Sequence, residues 1–320
     1  MARHHYIPRF YLEGFIDPAS TGKPKVCPYL WCTDLRTGAI RRRSPANTAK
    51  IAGFYDWDGL PDGQLTLEEI YQQSETRAAP VIKRLAAVNL DYSVKDKFNL
   101  TMFMAFQLTR VPGFRKLVKI GLEKHFAEET RRYLDNDTWL RKSLEDYRKA
   151  YPEKARGLST ASIRESFRTG RVRGVPNRPL VFANTIHNAL VLAPAVFATR
   201  WTLFTTEATG GSGFMTADQP VCLRFPGARR TPIDSEKAEN PDLEISFPIS
   251  PSVLLVAHQH NEWPKSRRVA ASEAANINCG MLPVVEKYVF SSHERLGRTS
   301  LLMWSHLQRN VANTHVQLEG

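Results

Sequence analysis

The sequence predicts an α+β fold, in which a mainly helical N-terminal two-thirds packs on a C-terminal antiparallel β-sheet. Two observations predict it. Amphipathic helical patterns fill residues 61–200, and short runs rich in β-branched and aromatic residues, separated by Gly and Pro, fill residues 201–320. Helices followed by an antiparallel sheet are typical of the α+β class. We expect one domain over residues 1–320, with strands from 26–60 joining the sheet.

Capping signals mark the starts of two predicted helices. Thr66 is followed three residues later by Glu69, and Ser93 by Asp96, which is the capping-box spacing. Because proline lacks an N–H and collides with the preceding turn, Pro80 is expected to kink or split the first of these helices.

The next two hundred residues change from helical to strand-like. Residues 114–151 predict one or two charged amphipathic helices, 152–178 a loop or short helices, and 184–200 an apolar helix interrupted by Pro194. A hairpin is predicted from two strands that flank the Gly-rich loop 210–213. Further strands are predicted at 222–225, 244–247, 253–257 and 288–291, with a helix over 272–281.

Composition restricts the compartment and the chemistry. Four scattered cysteines cannot form a disulfide scaffold, and the longest apolar run, 189–197, is too short to cross a bilayer. The N-terminus lacks the pattern of a signal peptide, so we expect a cytoplasmic protein with no membrane partner. Motifs of P-loop ATPases, zincin proteases and α/β-hydrolases do not occur.

The positive charge points to a polyanionic partner. The formal net charge is +12, and residues 151–178 carry seven Lys/Arg against two Asp/Glu. Arg168, Arg171 and Arg173 in that stretch are predicted to contact nucleic acid, because clustered arginines release counterions from a phosphate backbone. A solubilising surface is the alternative for any single cluster.

Four motifs together resemble a bacterial family catalogued as domain of unknown function 4238. They are His-His-Tyr-Ile-Pro-Arg-Phe-Tyr-Leu-Glu-Gly-Phe at 4–15, Gln-Leu-Thr-Arg at 107–110, Phe-Met-Thr-Ala-Asp-Gln-Pro-Val at 214–221 and Phe-Pro-Ile-Ser-Pro at 247–251. The resemblance implies no activity. The family tends toward Thr-Ser-Asp-Asn-Pro-Val where this chain has Ala217 and Gln219, so we take Asp218 as the chemically important residue of that motif.

Two histidines near the N-terminus are candidate catalytic groups. His4 and His5 precede an aromatic-rich segment that also carries Arg9, and we expect that segment to be ordered and packed. Adjacent side chains of an extended chain point to opposite sides, so one histidine at most faces a given pocket. Either acts as a general acid or base, or it is a structural residue bonded to backbone.

A polar pair on the predicted helix ending near residue 110 supplies the second part of a candidate site. Gln107 and Arg110 stand three residues apart, so both project from one helix face. A covered guanidinium needs an anion, either a carboxylate such as Glu75 or a substrate phosphate.

The leading hypothesis from the sequence is a nuclease acting on RNA or DNA. His4 or His5 would move the proton, Arg110 would hold the phosphoryl oxygens, and Asp218 would orient the histidine or a divalent metal. Arg9, Gln107 and Asn278 would bind substrate. The alternative is a non-catalytic module that binds nucleic acid or protein, as in bacterial defence or toxin systems, in which the same residues hold the α and β parts together.

Overall fold

The computed structural model describes residues 2–57, 64–224, 244–260 and 262–316, with side chains up to residue 309. It confirms the α+β class. The helices are α1 (Arg9–Glu13), α2 (Leu67–Ala86), α3 (Val94–Thr109), α4 (Pro112–Asp135), α5 (Asp137–Ala150), α6 (Thr160–Arg168), α7 (Arg178–Ala198), α8 (Ala271–Met281) and α9 (Glu294–Val316). The strands are β1 (Arg3–His5), β2 (Leu30–Asp34), β3 (Ile40–Arg43), β4 (Lys50–Ala52), β5 (Arg200–Thr205), β6 (Thr216–Ala217), β7 (Cys222–Arg224), β8 (Glu244–Ser250), β9 (Val253–His258), β10 (Ser266–Arg268) and β11 (Tyr288–Ser291).

The chain forms two compact units. Unit 1 comprises Met1–Gly113 and Ile186–Gly320, and unit 2 comprises Phe114–Thr185. Unit 2 is therefore an insertion in the sequence of unit 1, which both begins and ends the chain.

In its described residues, unit 1 contains two large sheets and a two-stranded one, where the sequence predicted a single sheet. Five strands form a mixed sheet in the order β10-β5-β9-β8-β7, and four form an antiparallel sheet in the order β3-β2-β11-β6. The early strands β2 and β3 thus share a sheet with the late strand β11. Strands β1 and β4 pair separately.

The predicted hairpin across the Gly-rich loop is wrong. Strand β5 pairs with β9 and β10, whereas β6 pairs with β11 in the other sheet. The loop carries the chain from one sheet to the other: Phe214 N–H still donates to Pro251 O in the β8–β9 turn, at 2.7 Å, before the chain enters β6. Gly213, at φ +120°, allows this approach, since a Cβ there would lie 2.6 Å from Pro251 O.

Both capping boxes are confirmed, and the effect predicted for the prolines is corrected. Thr66 and Ser93 accept hydrogen bonds from the third residue of α2 and α3 respectively. Helix α2 nevertheless continues through Pro80, and α7 continues through Pro194. Packing explains the continuity of α2, because the residues around Pro80 are buried and compensate for the lost backbone bond.

Helix α7 is longer and more apolar than the sequence reading allowed. By length and composition, Arg178–Ala198 is the one helix in the described residues that could span a bilayer, with a mean hydropathy of 1.6 over 18 residues. Core helices of soluble proteins pass the same test. Its buried residues Phe182, Ala189, Leu192 and Val196 recur at helical spacing, so one face is packed, whereas only 33% of the apolar window is buried.

The N-terminal segment is part of the core of unit 1, as the sequence predicted. Ile7, Leu12 and Phe15 are fully buried, and the Tyr11 ring stacks on Phe247 with a centroid separation of 5.2 Å. The Tyr11 hydroxyl lies 2.7 Å from the Thr216 hydroxyl and donates to Pro248 O at 2.8 Å, which ties the start of the chain to both sheets.

Unit 2 is a small helical body with a thin core. Its fully buried apolar side chains include Leu140, Leu144, Ala155 and Phe182, and most of its remaining surface is charged. Arg164 on α6 donates to Leu134 O at 2.8 Å and pairs with Asp137, so α6 is fastened to the corner between α4 and α5.

Candidate functional site

Arg110 lies at the C-terminal end of α3 and is fully enclosed. Only 1% of the residue is exposed. Its Nη1 donates to Glu75 Oε1 at 2.7 Å, and its Nε and Nη2 both donate to Gln107 Oε1, at 2.9 and 2.5 Å. The structure thus confirms Glu75, on α2, as the carboxylate partner of this guanidinium.

The surroundings of Arg110 hold it permanently charged. Burial by itself lowers the pKa of Arg110, but the Glu75 carboxylate together with Tyr55 and Tyr71 outweighs that effect, so the pKa lies above its usual value. The guanidinium carbon also lies 5.2 Å from the Tyr71 ring centroid and 5.9 Å from that of Phe103. With all three of its donor nitrogens engaged, Arg110 joins α2 to α3.

The two histidines face opposite sides of β1, as expected for an extended chain. His4 is buried: its Nδ1 accepts from Tyr55 N–H at 3.1 Å, and its Nε2 lies 3.0 Å from Glu68 Oε2. His5 is half-buried, and its Nε2 has no hydrogen-bond partner among the described residues. Burial and then the charge of Lys50 lower the pKa of His5, which keeps its imidazole neutral at pH 7.

Asp218 joins β6 to the start of β11. Its Oδ1 accepts from Glu286 N–H at 3.0 Å, and its Oδ2 accepts from the N–H groups of Lys287 and Tyr288 at 2.6 and 2.7 Å. The carboxylate thus caps a segment about 70 residues further along the chain. Burial raises the pKa of Asp218 to about 6, although the three N–H donors act in the opposite direction.

These three segments meet around Tyr6. Its carbonyl oxygen accepts from Gln107 Nε2 at 3.1 Å. Burial, and then the nearby charge of Asp218, raise the pKa of the Tyr6 hydroxyl. The segments that the sequence singled out are therefore neighbours. However, the hydrogen bonds of Gln107, Arg110 and Asp218 are made within the scaffold, and neither histidine is a bonding partner of Arg110.

Asn278, predicted to bind substrate, holds the loop between the sheets. It lies on α8 and is 2% exposed. Its Nδ2 donates to Gly213 O at 2.8 Å, and its Oδ1 accepts from Met215 N–H at 3.2 Å. The amide thus fixes the chain on either side of Phe214.

A cleft of about 340 Å³ lies beside Asn278, between the 210–213 loop, α8 and α9. Arg295 and Thr299 supply polar groups and Met303 an apolar one. Arg295 Nη1 donates to Gly210 O at 3.1 Å, which partly engages the guanidinium. The volume is at the lower end of the range for small-molecule sites.

Arg9 is on the surface, apart from the buried network. Its side chain is 63% exposed, and its Nε donates to Glu13 Oε1 at 2.8 Å, one turn along α1. An exposed pair of this kind adds little to stability.

The predicted nucleic-acid contacts lie in unit 2, on its surface. Arg168 forms two hydrogen bonds of 2.8 Å with Glu165 on the exposed side of α6. Arg171 and Arg173 are exposed and have no carboxylate partner within the described part of the chain. Two of the three arginines are therefore available to an external anion.

No group of three potential metal ligands converges in the described residues. The His258–His260 pair, which lies next to Glu244, is instead a hydrogen-bonded cluster. His258 Nδ1 accepts from His260 N–H at 3.1 Å, and its Nε2 lies 2.8 Å from the Thr202 hydroxyl. Burial lowers the pKa of His258 to about 4, so the ring is neutral and both of its nitrogens are engaged.

Comparison with known proteins agrees with the motifs. The family model described as "Protein of unknown function (DUF4238)" matches residues 3–295. The chain belongs to this family. No curated protein and no solved structure matches it. The DUF4238 match extends across both units.

Sequence reasoning missed two groups of residues. Tyr11 joins the N-terminus to both sheets, and its only sequence signal was its place in an aromatic run. Tyr133 and Trp139 form a tilted ring pair at the corner between α4 and α5, with ring centroids 4.5 Å apart. The sequence signal for that pair was an aromatic residue on each side of a helix break, with arginines nearby.

Proposed function

We propose that this DUF4238 protein is a non-catalytic nucleic-acid-binding module of the cytoplasm, with unit 2 as its contact surface. One observation carries the proposal. Unit 2, Phe114–Thr185, holds 17 Lys/Arg against 9 Asp/Glu, a net of +8 out of the total of +12. Arg171 and Arg173 in this unit have no carboxylate partner among the described residues.

The use of the buried polar residues supports binding over catalysis. A catalytic arginine must direct donors at the substrate, yet those of Arg110 are directed at Glu75 and Gln107. A catalytic carboxylate needs a free oxygen, yet both oxygens of Asp218 accept backbone N–H groups. Arg110 and Asp218 therefore stabilise the fold by holding its sheets and helices together, which is the role that polar residues have in a binding module.

The test is the salt dependence of binding. A labelled DNA or RNA fragment should bind the purified protein at low salt, and the affinity should fall steeply as salt rises. Arg171→Ala/Arg173→Ala should weaken binding and reduce the salt slope by about two, whereas Arg9→Ala on the surface of unit 1 should leave both unchanged. Affinity that is insensitive to salt, or equal effects of the two variants, would remove unit 2 as the contact surface.

The nuclease remains as a second candidate because of His5. Its imidazole is neutral and its Nε2 has no partner among the described residues, the form that a general base requires, but that nitrogen is buried and could reach a substrate only if its segment moved. Incubation with total RNA and with plasmid DNA, with and without magnesium or manganese, tests it directly. Cleavage that His5→Ala abolishes, while Gln73→Ala on the exposed side of α2 retains it, would establish the nuclease and displace the binding module.

A further inference from the structure

Four exposed aromatic side chains lie in one short part of unit 2. Tyr133, Trp139, Tyr147 and Tyr151 are 45%, 43%, 39% and 51% exposed. They form two tilted ring pairs, with centroids 4.5 Å apart and planes at 32° for Tyr133 and Trp139, and 5.2 Å and 43° for Tyr147 and Tyr151. Single exposed aromatic residues are common on protein surfaces. Several along one helix and its preceding corner form a surface on which a flat ligand can stack.

Contacts with α6 hold the corner that carries Tyr133 and Trp139. Tyr133 is in the last turn of α4, and Trp139 is in the first turn of α5. Arg164 donates to Leu134 O and pairs with Asp137, so α6 fixes the corner that carries both rings. A rigid platform loses little conformational entropy when a ligand stacks on it.

The arginines without acidic partners, Arg171 and Arg173, lie in the segment between α6 and α7. A Cβ on Gly174 would come within 3.2 Å of Phe126 Cβ, so the segment with Arg171 and Arg173 packs against α4. Phe126 and Tyr133 are seven residues apart, about 10 Å along one helix face. The segment that carries Arg171 and Arg173 therefore contacts the helix that carries Tyr133, about two turns before that ring.

We infer that unit 2 binds single-stranded nucleic acid, with bases stacking on Tyr133 and Trp139 and phosphates paired with Arg171 and Arg173. The inference rests on the proposed function and specifies its ligand. Only unpaired bases can offer their faces to an exposed ring, because the bases of a duplex are stacked on one another. Basic grooves lined with aromatics bind single strands with little sequence preference.

The experiment compares a labelled 20-nucleotide thymidine strand with the duplex that it forms with its adenosine complement. Binding to the full-length protein is measured by fluorescence anisotropy at low salt. Tyr133→Ala/Trp139→Ala should weaken binding of the single strand by about 5- to 150-fold for each stack lost, and leave binding of the duplex unchanged. The control is Phe98→Ala, an equally exposed aromatic of unit 1, which should change neither.

A second measurement does not depend on the stability of that variant. Stacking of a base on Trp139 should quench tryptophan emission when the thymidine strand binds. Trp139→Phe keeps a ring for stacking and five of the six tryptophans, so it should bind with similar affinity and lose the quenching.

The outcomes separate the two ideas. If the wild-type protein binds neither probe at low salt, the proposed function fails and this inference fails with it. If both probes bind equally and the double variant binds the single strand like wild type, nucleic-acid binding stands and the stacking platform is overturned. Retained quenching in Trp139→Phe would likewise overturn the role of Trp139.

Discussion

Unit 1 and unit 2 use their charged side chains in opposite ways. In unit 1, Arg110 and Asp218 are buried and have protein partners for their charged groups. In unit 2, a net of +8 over 72 residues lies largely on the surface, and Arg171 and Arg173 have no acidic partner in the described residues. Charged side chains therefore stabilise the fold of unit 1, whereas in unit 2 some of them are available to a ligand. Burial and partners distinguish the two uses, which residue identity alone does not.

The largest effect that tests this comparison should come from removing the N-terminus. Deleting residues 1–12 removes Ile7, Tyr11 and Leu12, each burying a side chain worth roughly 1.5–3 kcal/mol. Because total stability is commonly about 5–15 kcal/mol, we expect this variant not to fold, as judged by circular dichroism. Arg9→Ala changes only the surface of the same segment and should unfold like wild type. A truncated chain with wild-type stability would show that the segment is dispensable to the core.

The next effect is the loss of Arg110. Arg110→Ala leaves Glu75 and Gln107 without their partner, and breaking a buried ion pair costs roughly 3–5 kcal/mol, measured by urea unfolding. In unit 2, Arg168→Ala breaks an exposed pair with Glu165, and the unfolding midpoint should not change measurably. Comparable losses from the two variants would remove the distinction between the units. If Arg110→Ala were as stable as wild type, Arg110 would not be needed for the fold, and a functional role would be favoured.

The raised pKa of Asp218 predicts that the stability of the protein depends on pH. Its pKa is raised from 3.8 to about 6 in the folded protein, so folding favours the protonated carboxyl. Its contribution is therefore fully present below pH 3.8 and is lost as pH rises through 6. Asp218→Asn should be less stable than wild type, because its amide N–H₂ faces backbone donors. The difference in stability between wild type and Asp218→Asn should become smaller as the pH rises from 4 to 6, and it should be constant above pH 7. A deficit that grows with pH would show instead that the three N–H groups lower the pKa.

The smallest effect concerns the loop between the sheets. Asn278→Ala removes two hydrogen bonds, to Gly213 and from Met215, and leaves a buried carbonyl and N–H without partners. We expect a loss of about 1–3 kcal/mol in the free energy of unfolding, measured by denaturant titration. Asn276→Ala on the exposed side of α8 is the matched control and should be neutral. Equal stability of the two variants would mean that the Asn278 amide does not hold the loop.

The sequence predicted local features well and long-range pairing poorly. The capping boxes of α2 and α3 follow from residues three apart, and the Glu75 partner of Arg110 follows from the need to neutralise a covered charge. The hairpin failed because strand partners are set by packing across the chain, which alternation of side chains does not encode. The contacts of Asp218 could not be foreseen for the same reason, since its donors lie about 70 residues away. Spacing along the chain identifies the polar residues of each segment but not their burial and bonding.

The contacts of Tyr11 set the order of events during synthesis. Its hydroxyl partners, Thr216 and Pro248, are 205 and 237 residues further along the chain. At about 5–20 residues per second, a ribosome needs roughly 12–47 s to supply the second of them. Unit 2 is complete in sequence well before then, whereas the apolar N-terminal segment must wait for its sheets. Nascent chains therefore carry an unsatisfied aromatic segment for tens of seconds, a natural target for chaperones that act at the ribosome exit.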